Sequence, residues 1–212
     1  MAIYTSKTRI DLEDVGYSNK ITNKAILKIL ENAGARQSET IHFGLNDMEN
    51  VGFSWILLGW KVKILKRPIY NEELTINTWG RESNRIFTYR DYEIYDESGE
   101  LCTIATSKWA IVDINTGKLR ELTPEIIEKY QCETKKVFKE DYTLKLKEPT
   151  TIIRKQEYKA QRRDIDINKH IHNLYYLDYA YEALPEEVYE APECNNIEIM
   201  YKKQIRLNDE FK

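Results

Sequence analysis

Apolar and polar positions along this chain follow two different periods, and the switches between them mark out its elements. Residues 3–10 alternate, as a strand with one buried face does. From Thr22 to Phe43 the period becomes helical: Ile26, Ile29, Leu30, Ala33 and Gln37 fall near one stripe, and Gly44 supplies the stop. Four strand-like runs follow, Phe53 to Leu65, Leu74 to Arg81, Ile86 to Tyr95 and Leu101 to Asp113, with Asp96-Glu97-Ser98-Gly99 as the turn between the last two. One long helix followed by several antiparallel strands predicts an α+β fold. From Asn115 to about Pro149 the residues become charged and polar, apart from a short helix expected at Thr123 to Tyr130, and Lys135, Lys136, Lys139, Lys145 and Lys147 crowd the second half. This stretch reads as a linker, which gives an N-terminal domain over 1–114, a linker over 115–149 and a C-terminal domain over 150–212.

The C-terminal part contains a second alternation, between Asp164 and His172. Even positions carry Asp164, Asp166, Asn168, His170 and His172; odd positions carry Ile165, Ile167, Lys169 and Ile171. An extended backbone puts successive side chains on opposite faces. The pattern therefore predicts a strand with three isoleucines towards the core and a row of carboxylates, amide and imidazoles on the other face. At Asn173 the period turns helical, with Leu174, Leu177, Tyr181 and Leu184 on one stripe, Asn173 as the expected N-cap and Pro185 as the stop. A solvated strand face is ordinarily Lys, Glu and Thr. This one holds a carboxylate that can act as a base, an amide that can orient and an imidazole that can donate.

The second half repeats the first. A shift of 150 positions carries Asp14 to Asp164, Val15 to Ile165, Ile21 to Ile171, Asn23 to Asn173 and Leu27 to Leu177. Repeated copies use one architecture, and here they differ where chemistry is concerned: positions 166, 168 and 170 correspond to Gly16, Ser18 and Lys20. One site per chain is expected, in the second half. Asn71-Glu72-Glu73-Leu74 also matches Asn208-Asp209-Glu210-Phe211. In the first half that turn leads into strands reaching Asp113, whereas the second half ends at Lys212. The expectation is a truncated second domain lacking about three strands. Its unpaired edges and apolar surface would be for another chain to cover, a homodimer being one arrangement.

Composition narrows the function classes. With 42% hydrophobic residues, four Trp and fifteen Tyr among 212 residues, the chain can build a substantial core with broad apolar walls. A net charge of −3 argues against general polyanion binding, and eight glycines include no phosphate-cradling loop. Locally, Arg154, Lys155, Lys159, Arg162, Arg163 and Lys169 outnumber Glu157, Asp164 and Asp166, with few aromatics, which favours a docking face for an acidic partner over nucleic acid. The N-terminus has no apolar signal-like core, and no window reaches the roughly 20 apolar residues of a membrane span. Cys102, Cys132 and Cys194 are an odd, scattered set, as expected of reduced thiols in the cytoplasm. His170 and His172 could hold two corners of a metal site, but His42 is the only other histidine, so neither metal nor cofactor is expected.

The run Asp166-x-Asn168-x-His170-Ile171-x-Asn173-x-x-Tyr176 resembles the Asp-x-Asn-x-His-Val-Asn-Asn-x-x-Tyr signature of acyl-acyl-carrier-protein (acyl-ACP) thioesterases, a family of plant enzymes and their bacterial relatives. The resemblance extends over nearly the whole chain, including Trp79, the Ser107-Lys108-Trp109 strand and the linker. It implies tandem hotdog domains, each an antiparallel sheet wrapped around a long helix. The implied activity is hydrolysis of a fatty acyl-ACP thioester, releasing free fatty acid and ending chain elongation. Asp166 would be general base or nucleophile, with Asn168 and His170 orienting water or substrate and stabilising charge. Asn173 and Tyr176 would touch substrate, backbone N–H groups at the start of the following helix would serve the thioester oxygen, and the first half would supply the acyl pocket. There are two departures. His172 replaces the first of the paired asparagines. Plant members carry a Glu-Cys pair on the next strand after Tyr-Arg-Arg, whereas Tyr201-Lys202-Lys203 is followed here by Gln204 and Ile205. A cysteine nucleophile is therefore absent, and Gln204 has the shape of Glu without its proton. The alternatives are an acyl-coenzyme A thioesterase, or a catalytically weak acyl-binding or assembly module of the same fold.

Overall fold

A long helix sets the frame of the N-terminal part. In this computed structural model, which describes residues 3–81, 85–140, 145–189 and 194–212, α1 spans Asn23–Thr40. Thr22 starts it from an extended conformation, its hydroxyl accepting the Ala25 N–H at 3.1 Å. The buried face comprises Ala25, Ile26, Leu27, Ile29, Leu30 and Ala33, then Gly34, Gln37 and Ser38.

Antiparallel strands lie against it: β1 (Tyr4–Arg9), β2 (Phe53–Ile64), β3 (Glu73–Gly80), β4 (Phe87–Tyr95), β5 (Leu101–Asp113) and the short β6 (Leu119–Arg120). A single-turn helix, α2 (Met48–Val51), precedes β2, and α3 (Pro124–Tyr130) follows β6. These belong to one compact unit, residues 1–144 with 195–200; residues 145–194 with 201–212 form a second. The second unit contains β7 (Tyr158–Lys159), α4 (Tyr175–Glu182), α5 (Glu186–Tyr189) and β9 (Glu210–Phe211), while β8 (Asn196–Met200) completes the first unit's sheet. That sheet runs β1-β3-β4-β5-β2-β8, with β6 on β5. The fold is α+β, and the periodic stretches between Tyr4 and Asp113 are strands and a helix where their periods place them.

Gly34 lets α1 approach β4 closely: a Cβ there would stand 2.9 Å from the Tyr92 hydroxyl and 3.2 Å from Arg90 Cδ. Trp60, Trp79 and Tyr92 are fully buried beneath. The polar stretch after Asn115 is not a plain spacer. Leu122, Ile126 and Tyr130 join Phe43, Phe53 and Ile111 in a buried cluster. Beyond it, Glu133 N–H donates to Gly80 O at 2.8 Å, Trp79 Nε1–H to Lys135 O at 3.0 Å, and Val137 N–H to the buried Asp91 carboxylate at 3.1 Å. Lys135 reaches Glu93 at 2.7 Å, so this lysine is tied to the sheet and not simply solvated.

The turn between β4 and β5 forms around one carboxylate. Asp96 Oδ1 accepts Ser98 N–H and Glu100 N–H, each at 2.9 Å, and Oδ2 meets Lys66 Nζ at 2.6 Å. Gly99 takes the left-handed conformation that closes it, φ 82°.

In the second unit, β7 pairs with β9, and Tyr158, Tyr179 and Phe211 pack in tilted and edge-on contacts with ring centroids 4.8, 4.9 and 5.7 Å apart. The segments match the first unit bond for bond. Ile10 N–H→Glu72 O and Asn71 N–H→Ile10 O recur as Ala160 N–H→Asp209 O and Asn208 N–H→Ala160 O. Asn71 and Asn208 share positive φ values of 72° and 69°. By the same correspondence β8 is the counterpart of Gly59–Lys63, and the two pair antiparallel about Lys61 opposite Glu198.

Two outcomes follow for stability. Gly34→Val should overpack the α1–β4 contact and cost about 1–3 kcal/mol, read as a lower urea midpoint; an unchanged midpoint would contradict the close approach. Lys66, Ser98 and the Glu100 N–H, in that order, hold the Asp96 carboxyl below its usual range. Its contribution is therefore present above the unfolded pKa near ~3.9 and is lost as pH falls below it. Asp96→Asn should flatten the decline of Tm from pH 5 to pH 2 (approximate bounds), and a decline as steep as the parent's would reject the assignment.

Candidate active site

Residues 164–172 do not form the strand that their alternation suggests. Arg162–Asp164 is a 3-10 turn, Ile165 bridges Ile171, and the chain reverses between them. Asp166 N–H donates to His170 O at 2.9 Å and Lys169 N–H to Asp166 O at 3.0 Å, with Lys169 left-handed at φ 63°. Asp166 Oδ1 accepts Asn168 N–H at 2.8 Å and His170 N–H at 3.4 Å, an Asx turn that reinforces the reversal. The predicted row of core isoleucines is accordingly broken: Ile171 is buried, but Ile167 is 66% exposed at the tip.

The turn gathers Asp166, Asn168 and His170 within one short loop. Asp166 and His170 are half-buried and Asn168 is exposed. His170 pairs by its backbone with Arg206, and Ile171 N–H donates to Ile205 O at 2.8 Å. Gln204 is exposed, in an irregular segment after the end of β8 at Met200 and not on a strand. The register of that bridge sets it opposite His172. Tyr176 donates its hydroxyl to Lys203 O at 3.3 Å. Burial pushes the Tyr176 phenol up, a backbone bond at Ile205 opposes this, and the negative Asp166 carboxylate raises it further.

Asn173 is not the N-cap. The helix begins at Tyr175, after Leu174 already in helical conformation, and His172 does the capping: its Nδ1 accepts Leu174 N–H at 3.3 Å and its carbonyl accepts Tyr175 N–H at 2.9 Å. His172 occupies the place that Thr22 holds before α1, so the departure from the motif has a structural role. It also commits two of the amides that were expected to face an anion. Asn173 instead accepts the Tyr201 hydroxyl at its carbonyl, 3.2 Å away.

The same turn is built in the first unit. Gly16 N–H→Lys20 O, Asn19 N–H→Gly16 O and a left-handed Asn19 (φ 58°) match the bonds around Asp166 one for one, and Val15 bridges Ile21. Only the side chains differ. Sequence reasoning gave no role of its own to Asp164, buried with 3% exposure, or to Tyr179, whose hydroxyl donates to it at 2.5 Å. The available signal was that the repeat keeps aspartate at both positions, Asp14 and Asp164.

All six basic residues between 154 and 169 are exposed. An open hollow of about 330 Å³ lies beside them, lined by Lys159, Ala160, Gln161, Arg162, Leu207 and Asn208, and does not include Asp166. Among the described residues, no group of three or more His, Cys, Asp or Glu converges as a metal site, and no helix is long and apolar enough to cross a membrane.

Comparison with known proteins gives this geometry a family. The chain is 24% identical over 222 positions to the chloroplastic oleoyl-acyl carrier protein thioesterase 1 of Arabidopsis thaliana, an alignment covering 97% of this chain and 61% of that protein. It thus spans about three fifths of the length of the curated relatives it matches first. Its fold is that of an acyl-ACP thioesterase from Bacteroides thetaiotaomicron (TM-score 0.84, 23% identity, 99% of this chain and 84% of that one). It is equally that of a 12:0-ACP thioesterase from Umbellularia californica (TM-score 0.84, 18% identity, 97% and 84%). The family model for the acyl-ACP thioesterase N-terminal domain matches residues 1–130 and that for the C-terminal domain residues 147–212; the chain belongs to the acyl-ACP thioesterase family.

Proposed function

We propose that this chain hydrolyses the thioester of a fatty acyl group carried on acyl carrier protein, releasing free fatty acid. One observation carries the reading: a single turn geometry occurs twice, with Gly16, Ser18 and Lys20 in one copy and Asp166, Asn168 and His170 in the other. A frame that folds with glycine, serine and lysine does not need a carboxylate, an amide and an imidazole for its own sake. In the reaction, Asp166 is the general base for water or the nucleophile on the thioester carbon. Asn168 and His170 orient the attacking group and stabilise the charge developing on oxygen. Tyr176, within reach of the Asp166 charge, and Asn173 line the substrate side. No cofactor is required.

The architecture that goes with this reading is a pair of hotdog domains over 1–114 and 150–212, with the intervening 115–149 packed in part on the first. The first supplies structure and acyl pocket. The exposed basic run from Arg154 to Lys169 suits the acidic carrier, a homodimer is the assembly that would cover open strand edges, and free cysteines accord with a cytoplasmic setting. Gln204 favours a second reading, a catalytically weak acyl-binding module, because it is exposed and cannot exchange a proton. Acyl-coenzyme A is the alternative substrate.

Asp166→Asn separates these. Asparagine keeps an Oδ1 acceptor for the Asn168 and His170 amides, so the turn should survive while the charge is lost. Hydrolysis of acyl-ACP should fall by roughly 10²–10⁴-fold with an unchanged far-ultraviolet spectrum; equal turnover by parent and variant, or binding without release by both, would reject the hydrolase. Acyl-coenzyme A run in parallel identifies the carrier. Gln204→Glu should raise kcat by about tenfold if position 204 takes part in proton transfer, and an unaltered pH–rate profile would remove it from the site.

A further inference from the structure

The turn that carries Asp166 hangs from a residue the reaction does not use. Asp164 Oδ2 accepts Gln161 N–H at 2.8 Å and the Tyr179 hydroxyl at 2.5 Å, and Asp164 O accepts His172 N–H at 2.8 Å. One buried residue therefore closes the chain before the turn, the chain after it and the first turns of α4 into a single bonded unit. The first unit solves the same problem differently. Asp14 Oδ2 accepts Asp11 N–H at 3.1 Å and Asp14 O accepts Thr22 N–H at 2.9 Å, but the helix contributes Lys28 Nζ. Lys28 corresponds to Asp178, and Tyr179 to Ile29. In the copy with Asp166, the helix thus presents a neutral hydroxyl donor where the other copy presents a cation. The nearest cation in an ion pair with Asp164 among the described residues is Arg163, at 3.7 Å and 77% exposed.

We propose that Asp164 and Tyr179 are positioning residues: their hydrogen bond fixes the turn bearing Asp166, Asn168 and His170 to α4, and does so without placing an ammonium group on the Asp164 carboxylate, two residues from Asp166. A lysine there would hold the loop as well, yet it would favour the ionised and less basic form of a nearby carboxylate. A phenol whose own proton is firmly held supplies a donor and no charge; Tyr179 is pushed up to about 12 by burial and then by Asp164. This inference rests on the hydrolase reading for its purpose, but not for its geometry.

The test uses full-length Tyr179→Phe, Tyr179→Phe with Asp178→Lys, and Lys28→Met as a control on the other copy. Amide hydrogen exchange reads the geometry. Exchange at Asn168 and His170 should quicken about tenfold in Tyr179→Phe and return to within about threefold of the parent when Asp178→Lys rebuilds the Asp14–Lys28 arrangement. Lys28→Met should leave those two amides as in the parent. Hydrolysis reads the purpose: kcat should fall about tenfold at constant KM in Tyr179→Phe, recover only in part in the double variant, and stay unchanged in Lys28→Met. Unaltered exchange in Tyr179→Phe, or faster exchange spread evenly over the whole molecule, overturns the proposal. If Tyr179→Phe does not fold, the double variant is compared with the parent directly. Parent-like exchange then supports the clamp and faster exchange at Asn168 and His170 overturns it. A parent without hydrolase activity would sink the hydrolase reading alone, since exchange still decides whether the bond positions the turn.

Discussion

A carboxylate withdrawn from water must have its oxygens met by donors, and in both units of this protein that requirement organises the chain around it. Asp14 and Asp164 are each buried at the end of a 3-10 turn, and each accepts a backbone N–H three residues back. Each also offers its carbonyl to the residue that opens the following helix. An unmet buried charge would cost several kcal/mol, so the bonds come as a set. The turn, the helix start and the chain entering from β1 or β7 are consequences of satisfying one side chain.

Once that frame is closed, the residues at the tip of the turn are released from structural duty. Gly16, Tyr17, Ser18 and Asn19 occupy the same loop as Asp166, Ile167, Asn168 and Lys169, with the same left-handed fourth residue. The backbone dictates the loop, and the side chains are free to be chosen for chemistry. Asp166 belongs to both descriptions: its Oδ1 stiffens the loop through two amides, and it is a carboxylate where the other copy's turn has glycine.

Long, strongly periodic elements were legible in the sequence because burial imposes the period. The run from Phe53 to Leu65 is a strand from Phe53 to Ile64, and the helical stripe through Ile26 and Leu30 is α1. The alternation from Asp164 to His172 misled because a period of two also arises where one Asp side chain bonds the amides two and four residues on, as Asp166 does. The correction lay in the repeat itself, since Gly16-Tyr17-Ser18-Asn19 is a turn composition and its copy must bend likewise. The stretch after Asn115 looked like a linker because its charges hide the spacing of Leu122, Ile126 and Tyr130, four residues apart and buried together. The repeat asymmetry that marks Asp166, Asn168 and His170 was readable without coordinates. The Tyr179 hydroxyl was not, because α4 must first be folded over the loop to bring residue 179 to residue 164. His172 was read as a blemish in a motif and caps a helix.

The pairing of β2 with β8 sets Lys61 directly across from its own counterpart, Glu198, with Nζ and Oε1 3.9 Å apart. Were the two stretches identical, as in an assembly of identical polypeptides, the dyad would force lysine upon lysine. Duplication within a single polypeptide lifts that symmetry constraint. Each half can drift to opposite sign at the axis, and by the same freedom only one of two homologous loops must retain its reactive groups.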